Sequence, residues 1–220
     1  PEGTAGGVLL LDEPFSAVDA PMRQVLYREL AQLRASLKIP MVLVTHDLNE
    51  ARRLAHRIVI IDGGASLQVA SPSHIMSSPR NARVAHLVGI HNHFRGQFYP
   101  QTDGWAQLQW GLDSQAPRLI VRDKAKISAG SAVTWVLAAE AVRLLGDAEA
   151  APEQANVLCA TFTELLPLGE ISLCRLHIQG TSDTMELNLA TSQVVAMRWH
   201  SGSAVRVALA FDAVHIMPLR

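Results

Sequence analysis

The chain has 220 residues, of which 49% are hydrophobic and 18% charged, so it can hold one or two domains with cores and is too apolar to be disordered. The formal net charge of −1 gives no reason to expect nucleic-acid binding. No apolar run approaches the roughly 18 residues of a membrane-spanning helix, and we expect no signal peptide ahead of the first strand. Cys159 and Cys174 lack metal-type spacing, which favours reduced core thiols of a cytosolic protein.

An unbroken apolar run, Val8 to Leu11, leads directly into Asp12, Glu13 and Pro14. A run without alternation predicts a strand buried on both faces of a parallel sheet, and the proline ends it. Ligands of open α/β sheets bind at the carboxyl ends of strands, where a buried carboxylate pair is costly unless a cation or a reacting proton uses it. A buried strand with an acidic turn after it is the alternative interpretation.

The residues that follow alternate between helix and strand patterns, which predicts a doubly wound α/β sheet. Asp19 is a candidate helix cap, and Arg23, Arg28, Arg34 and Lys38 are interpreted as the solvated face of the helix that it begins. The predicted elements are a helix over 22–37, a strand over 41–44, a helix opened by Asp47, a strand over 58–61, a hairpin turn at 62–64, a return strand over 66–70 and short helices from 71 and over 81–88.

The second part of the chain has a different pattern, with short apolar runs separated by Gly, Asp, Pro and Ser. This pattern is typical of an all-β domain. All four tryptophans also lie after residue 100, so we predict a domain boundary near Gly89 to His93. The apolar runs lie at 94–99, 108–110, 119–121, 133–138, 157–162, 171–178, 185–189 and 205–211.

An internal repeat with a constant offset of 72 residues, as from Gly130 to Gly202, lies within this β-rich part. The matched residues are 129–133 with 201–205, 137–138 with 209–210, and 141–142 with 213–214. Chance similarity between two apolar β segments is the alternative. We favour two related OB-type barrel units, each too small to bury its strands alone.

Three short motifs carry a resemblance to a known family. The sequence LLLDEP ends at Pro14, SAVD covers Ser16 to Asp19, and VTHD ends at Asp47. In this order they resemble the Walker B motif, the D-loop and the switch-histidine loop of the ATP-binding subunit of ABC transporters. The β-rich part resembles, more loosely, the C-terminal TOBE or MOP region of importer ATPases.

The resemblance implies a fold and a domain organisation. Residues 1–90 would be the C-terminal part of an α/β ABC ATPase domain of the P-loop class, and residues 91–220 an all-β, OB-like TOBE/MOP domain with repeat units at about 93–145 and 156–218. Paired units of this kind suggest an importer for molybdate or a related oxyanion, with sulfate, iron, sugar and polyamine as alternative cargoes.

The resemblance also implies roles for individual residues, with ATP and Mg²⁺ as cofactors. Asp12 would hold Mg²⁺ through a water molecule, and Glu13 would be the general base that polarises the attacking water. His46 would sense the γ-phosphate. Asp19 would contact the nucleotide site of a partner subunit, and Ser16 would belong to the same nucleotide-binding loop.

The implied partners are a second ATPase subunit in a homodimer, membrane permease subunits and, indirectly, a periplasmic binding protein, at the inner face of the cell membrane. The phosphate-binding motif Gly-x-x-x-x-Gly-Lys-Ser/Thr does not occur in this sequence, nor does the family's Leu-Ser-Gly-Gly-Gln signature. We therefore interpret the chain as N-terminally truncated. As given, it is expected to bind ATP poorly and not to hydrolyse it.

A non-enzymatic regulatory module is the rival hypothesis. In it the paired β units would bind an oxyanion or a regulator and hold a dimer together. Ser131 and Ser203, beside Gly130 and Gly202, could offer hydroxyl and backbone donors to an anion. Tight turns are the alternative use of these four residues.

Overall fold

The computed structural model describes residues 7–37, 39–111, 113, 115–123, 125–146 and 149–218. The chain divides into two compact units, of which the first ends at Ile75 and the second begins at Met76. This division by contacts lies earlier than the compositional boundary near Gly89 to His93, which stays a prediction about domains. Within the described ranges, no helix combines the length and the apolar character needed to cross a bilayer.

The first unit alternates short strands and helices. Its elements in chain order are β1 (Leu9–Asp12), α1 (Ala20–Leu37), β2 (Met41–Val44), α2 (Leu48–Leu54), β3 (Ile58–Asp62) and β4 (Ala65–Ala70), followed by α3 (Pro72–Ser77), which crosses the division. The predicted helix after Asp19 is confirmed, since Asp19 Oδ1 accepts a hydrogen bond of 2.9 Å from the Met22 amide.

Strands β1 and β2 pair in parallel, with Leu9 opposite Met41 and Asp12 opposite Val44. β3 does not extend this pair; it forms a separate antiparallel hairpin with β4. Gly63 and Gly64, both at positive φ, turn the chain back at once, so that β4 takes the hydrogen bonds of β3. The hairpin is confirmed, but the doubly wound sheet expected from three successive strands is not shown by the described residues.

The prediction that the first strands are buried on both faces is wrong for the described residues. Leu10 is 71% exposed, and Val42 and Val44 are 48% and 54% exposed, because no described element covers that face of the pair. The opposite face lies on a small core, in which Phe15 and Tyr27 pack edge to face with ring centroids 4.9 Å apart.

The second unit is built almost entirely of strands, which confirms the all-β prediction. After α4 (Ala82–Leu87) come β5 (His93–Pro100), β6 (Trp105–Trp110), β7 (Arg118–Arg122), β8 (Ser131–Leu137), a 3-10 turn (Ala139–Ala141), β9 (Val142–Leu145), β10 (Ala155–Pro167), β11 (Ile171–Ile178), β12 (Thr184–Ala190), α5 (Thr191–Ala196), β13 (Ala204–Ala210) and β14 (Val214–Pro218).

The strands of this unit form two five-stranded sheets with the same connectivity. One has the order β7-β6-β5-β8-β14 and the other β12-β11-β10-β13-β9. The last strands are exchanged. Val214 of β14 pairs with Leu137 of β8, while Val142 of β9 pairs with Leu209 of β13. Each sheet is therefore completed by a strand from the other predicted repeat unit, an exchange that the repeat pattern alone does not indicate.

Both sheets contribute to one hydrophobic core. Trp110 and Trp135 lie within it with ring centroids 4.5 Å apart. Gly96 is required beside them, because a Cβ atom there would lie 2.5 Å from the carbonyl oxygen of Gln109. Cys174 is buried, which raises the pKa of its thiol, but Cys159 is exposed, so the prediction of two core thiols is wrong for Cys159.

A buried asparagine joins each sheet to the edge strand of the other. Asn92 Nδ2 donates to the Glu186 carbonyl of β12, and the Glu186 amide donates to Asn92 Oδ1, both at 2.7 Å. Asn156 does the same at Ile120 of β7, with distances of 2.9 and 2.7 Å. The two side chains thereby satisfy edge groups that would otherwise lack partners.

We predict that Asn92→Ala lowers the free energy of unfolding by about 2 kcal/mol, because it leaves buried groups of Glu186 without partners. Asn156→Ala should act similarly. Urea unfolding followed by tryptophan fluorescence measures both. The matched control is Asn188→Ala on the exposed face of β12. A loss at Asn92 no larger than at Asn188 would contradict the structural role of the asparagines.

Candidate functional site

The carboxyl ends of β1 and β2 lie side by side, because the two strands are parallel and in register to their last residues. The ladder continues one step further, since the Glu13 amide donates to the Val44 carbonyl at 2.9 Å. Asp12 and Glu13 after one strand therefore meet His46 after the other. This is the edge at which open α/β sheets bind ligands.

Glu13 turns the chain sharply away from the sheet. Its φ of +43° lies in the left-handed region, which is unfavourable for a residue with a side chain. The turn is closed by Ser16, whose Oγ and backbone amide donate to the Glu13 carbonyl at 3.0 and 3.2 Å. Ser16 thus holds the backbone of Glu13.

Glu13 and His46 are in direct contact. The Glu13 Oε1 atom accepts a hydrogen bond of 3.1 Å from the His46 amide and lies 2.7 Å from His46 Nδ1. Hydrogen bonding to the Glu13 carboxylate, together with its charge, raises the pKa of His46. The His46 side chain is 81% exposed, so its ring is accessible to a ligand from solvent.

The other predicted site residues lie around this contact in different ways. The Asp12 side chain is exposed at the end of β1. Asp19 caps α1, so the structure gives it a local role whether or not it also meets a partner subunit. No group of three or more His, Cys, Asp and Glu side chains lies together as a metal site in the part of the chain that the structure describes.

Sequence reasoning missed a buried carboxylate behind His46. Glu50, 4% exposed, accepts hydrogen bonds from Tyr27 and Thr45 hydroxyls. Burial and the nearby Glu50 charge raise the pKa of Tyr27. A signal was present: Asp47 followed three residues later by Glu50 is the spacing of a capping box. In the structure, however, Thr45 rather than Glu50 accepts from the Asp47 amide.

Two arginines predicted to be solvated surface make specific contacts instead, while Lys38 of the same prediction lies outside the described residues. Arg23 donates to the Val18 carbonyl at 2.9 Å, and its other terminal nitrogen lies 3.7 Å from an Asp47 oxygen. Arg34 donates to the Leu54 carbonyl at the end of α2. Both side chains join α1 to the rest of the unit, and their spacing in the sequence gives no indication of it.

In the second unit, the glycines and serines singled out for anion binding form turns. The Gly130 and Gly202 amides, both at positive φ, donate to the carbonyls of Phe98 and Phe162 at 2.7 Å. Ser203 Oγ accepts from the His200 amide at 3.0 Å. The Ser131 and Ser203 amides donate to carbonyls three residues earlier. The four backbone donors are therefore used within the fold, which favours the tight-turn interpretation.

The chain is similar to ATP-binding proteins of polyamine importers. It is 31% identical over 210 residues to the spermidine/putrescine import ATP-binding protein PotA 1 of Pseudomonas aeruginosa, covering 96% of this chain and 54% of that protein. The PotA protein of Mycoplasma genitalium is 43% identical over 104 residues, 47% of this chain and 18% of that protein. The chain spans about half the length of the first of these curated relatives.

Comparisons with family models and with solved structures give weaker similarity. No family model matches the chain. A solved structure of the cytoplasmic molybdate-binding protein ModG, with molybdate bound, has a TM-score of 0.48 and 18% identity, covering 58% of this chain and 96% of that one. The PotA relatives support the resemblance to ATP-binding subunits of ABC importers, while their names give spermidine and putrescine as the imported compounds rather than molybdate.

We predict that Glu13→Gln lowers the pKa of His46 toward its ordinary value of about 6.5, because a neutral amide removes the charge that favours the imidazolium. Since the folded-state pKa is raised, the contact stabilises the fold fully below the unfolded pKa of histidine and loses this effect as pH rises through the folded pKa. Titration of the ring protons by NMR measures it, with the exposed Glu29→Gln as the matched control. An unchanged His46 pKa in Glu13→Gln would contradict the contact.

Proposed function

We propose that this chain belongs to the ATP-binding and hydrolysing subunit of an ABC importer. The observation that carries the proposal is the contact between Glu13 and His46, at 2.7 Å, on the shared edge of two parallel strands. Similarity to the PotA proteins over 96% of the chain supports it. The chain as given carries only part of the ATPase machinery, so the activity is proposed for a protein that includes the remainder.

In this proposal Glu13 is the general base. One of its oxygens is engaged by His46, but an ionised carboxylate has about four acceptor sites, so it can still accept a proton from an attacking water. His46, held by Glu13 and otherwise exposed, presents the far side of its ring to a phosphate group. Phosphoryl transfer needs such positioning more than covalent chemistry.

Asp12 fits the role of a ligand for Mg²⁺. Its carboxylate is exposed at the strand end, one residue from Glu13. Mg²⁺ prefers oxygen ligands and retains several waters, so a single protein carboxylate is compatible with its coordination. When bound, the ion would neutralise negative charge on the nucleotide phosphates.

The proposed assembly follows from the family resemblance. A second copy would complete the nucleotide site, with Asp19 and Ser16 in the loop that faces the partner. Permease subunits would anchor the dimer to the inner face of the cell membrane, and a periplasmic binding protein would deliver the cargo. The β-rich second unit would then be an accessory TOBE/MOP-like domain on a cytoplasmic, membrane-associated ATPase.

For the cargo we propose a polyamine, because the named relatives import spermidine and putrescine. Molybdate, which the paired β units suggest, is the alternative cargo, and a regulatory module that binds an oxyanion is the rival function. Neither alternative gains support from Ser131 and Ser203, whose backbone donors take part in turns.

A chimera tests the ATPase proposal. In it this chain replaces the matching part of PotA 1 of Pseudomonas aeruginosa, which supplies the rest of an ATP-binding protein. We expect the chimera to hydrolyse ATP and Glu13→Gln to lower kcat by about 100-fold or more, since general bases contribute on this scale. Glu29→Gln, an exposed substitution of the same type, should leave kcat unchanged. Full turnover in the Glu13→Gln chimera would refute the general-base role.

Calorimetric titration of the purified chain with molybdate, tungstate and sulfate tests the oxyanion alternative. We expect no binding heat, because the candidate backbone donors are already hydrogen-bonded within the turns. Spermidine, a cation, is titrated in parallel as a comparison with the three anions. Tight binding of molybdate or tungstate would instead favour the regulatory module and molybdate as cargo.

A further inference from the structure

Glu50 is a carboxylate in an environment where carboxylates are costly. It is 4% exposed and lies on α2, between α1 and the loop that follows β2. Tyr27 Oη donates to its Oε1 at 3.2 Å, and Thr45 Oγ1 donates to its Oε2 at 2.6 Å. An apolar side chain would hold two helices together without the desolvation cost of a charge. We therefore attribute the presence of a carboxylate at this position to its hydrogen bonds with the Tyr27 and Thr45 hydroxyls.

Thr45 transmits the position of Glu50 to the chain around His46. Its hydroxyl donates to Glu50 and accepts a hydrogen bond of 3.0 Å from the Asp47 amide. Residues 45 and 47 are thus both fixed through one oxygen atom, and His46 lies between them. The Asp47 side chain in turn accepts from the Asn49 amide at 2.8 Å, which anchors this loop to the first turn of α2.

His46 depends on that backbone position for both of its contacts with Glu13. Its amide and its Nδ1 atom reach the same oxygen, Glu13 Oε1, at 3.1 and 2.7 Å. Two donors from one residue meet at one acceptor only if the local backbone and the ring orientation are both defined. The His46 side chain is 81% exposed, so packing against neighbouring side chains does not fix the orientation of its ring.

We propose that Glu50 is a positioning residue that acts through Thr45 to hold His46 against Glu13. In the part of the chain that the structure describes, Glu50 makes no hydrogen bond to Glu13 or to the His46 ring, although its charge helps to raise the pKa of His46, so we do not assign it a catalytic role. Its significance for ATP hydrolysis rests on the function proposed above, whereas the positioning itself is a property of this chain. The hydroxyls of Thr45 and Tyr27 are the two donors that the buried carboxylate of Glu50 accepts from.

Amide hydrogen exchange of the chain, measured by NMR, tests this proposal. Thr45→Val removes the hydroxyl at nearly constant volume, and Glu50→Gln puts a donor group where two acceptor oxygens are needed. We expect either change to lower the protection of the His46 amide about tenfold, on the scale of one hydrogen bond. Thr45→Val, which leaves the Glu50 charge in place, should also shift the His46 ring 1H–15N resonances toward those of Glu13→Gln. Thr45→Ser, which keeps the hydroxyl, should restore the parent values.

The Glu13 amide serves as internal reference, because it donates to Val44 within the strand ladder. A general loss of stability would lower the protection of both amides, whereas a positioning role lowers that of His46 selectively. Glu29→Gln is the matched control for Glu50→Gln. If Glu50→Gln does not fold, Thr45→Val and Thr45→Ser decide the question.

Unchanged His46 protection and ring resonances in folded Thr45→Val would overturn the proposal, and so would equal losses at the His46 and Glu13 amides. These readouts involve no nucleotide. A chimera that does not hydrolyse ATP would count against the proposed function, and one that keeps full turnover after Glu13→Gln would refute the general-base role. Either result would leave the His46 result standing, so that the failures are distinguishable.

Discussion

The parallel register of β1 and β2 is the constraint on which the candidate site depends. Asp12 lies opposite Val44, and the next step of the ladder joins the Glu13 amide to the Val44 carbonyl. Because side chains alternate between the faces of a strand, a slip of one residue would turn the carboxylate of Glu13 away from His46. The geometry of the site is therefore set by backbone hydrogen bonds, and the side chains that would react are added to an already defined edge.

Supports for this edge come from behind it rather than from the site itself. Arg23 ties the loop after β1 to Asp47 in the loop after β2, and Glu50 ties the second loop to α1 through Tyr27. The pair of half-buried Glu13 and exposed His46 thus rests on a partly buried polar network. Such an arrangement leaves the reacting groups open to a ligand while their backbone is held in place.

The sequence was informative where local pattern determines structure. Apolar runs, the Asp19 cap and the Gly63–Gly64 turn predicted strands, a helix and a hairpin correctly, and a motif resemblance brought together Glu13 and His46. The sequence was not informative where the structure depends on contacts between distant segments. The exposure of Leu10 depends on what covers a sheet face, the use of Glu50 depends on hydroxyls of two other segments, and the exchange of β9 and β14 depends on pairing between distant strands.

The exchange of β9 and β14 has a consequence for how the chain can fold during synthesis. β8 remains an unpaired edge until β14 has been made, because its partner from Val214 onward lies far along the chain. Contacts of such long sequence separation close slowly, and an uncovered strand edge is prone to pair with other molecules. The sheet that contains β14 is therefore expected to close only after translation has passed the last strand, whereas the sheet of β9 to β13 can close once β13 has been made.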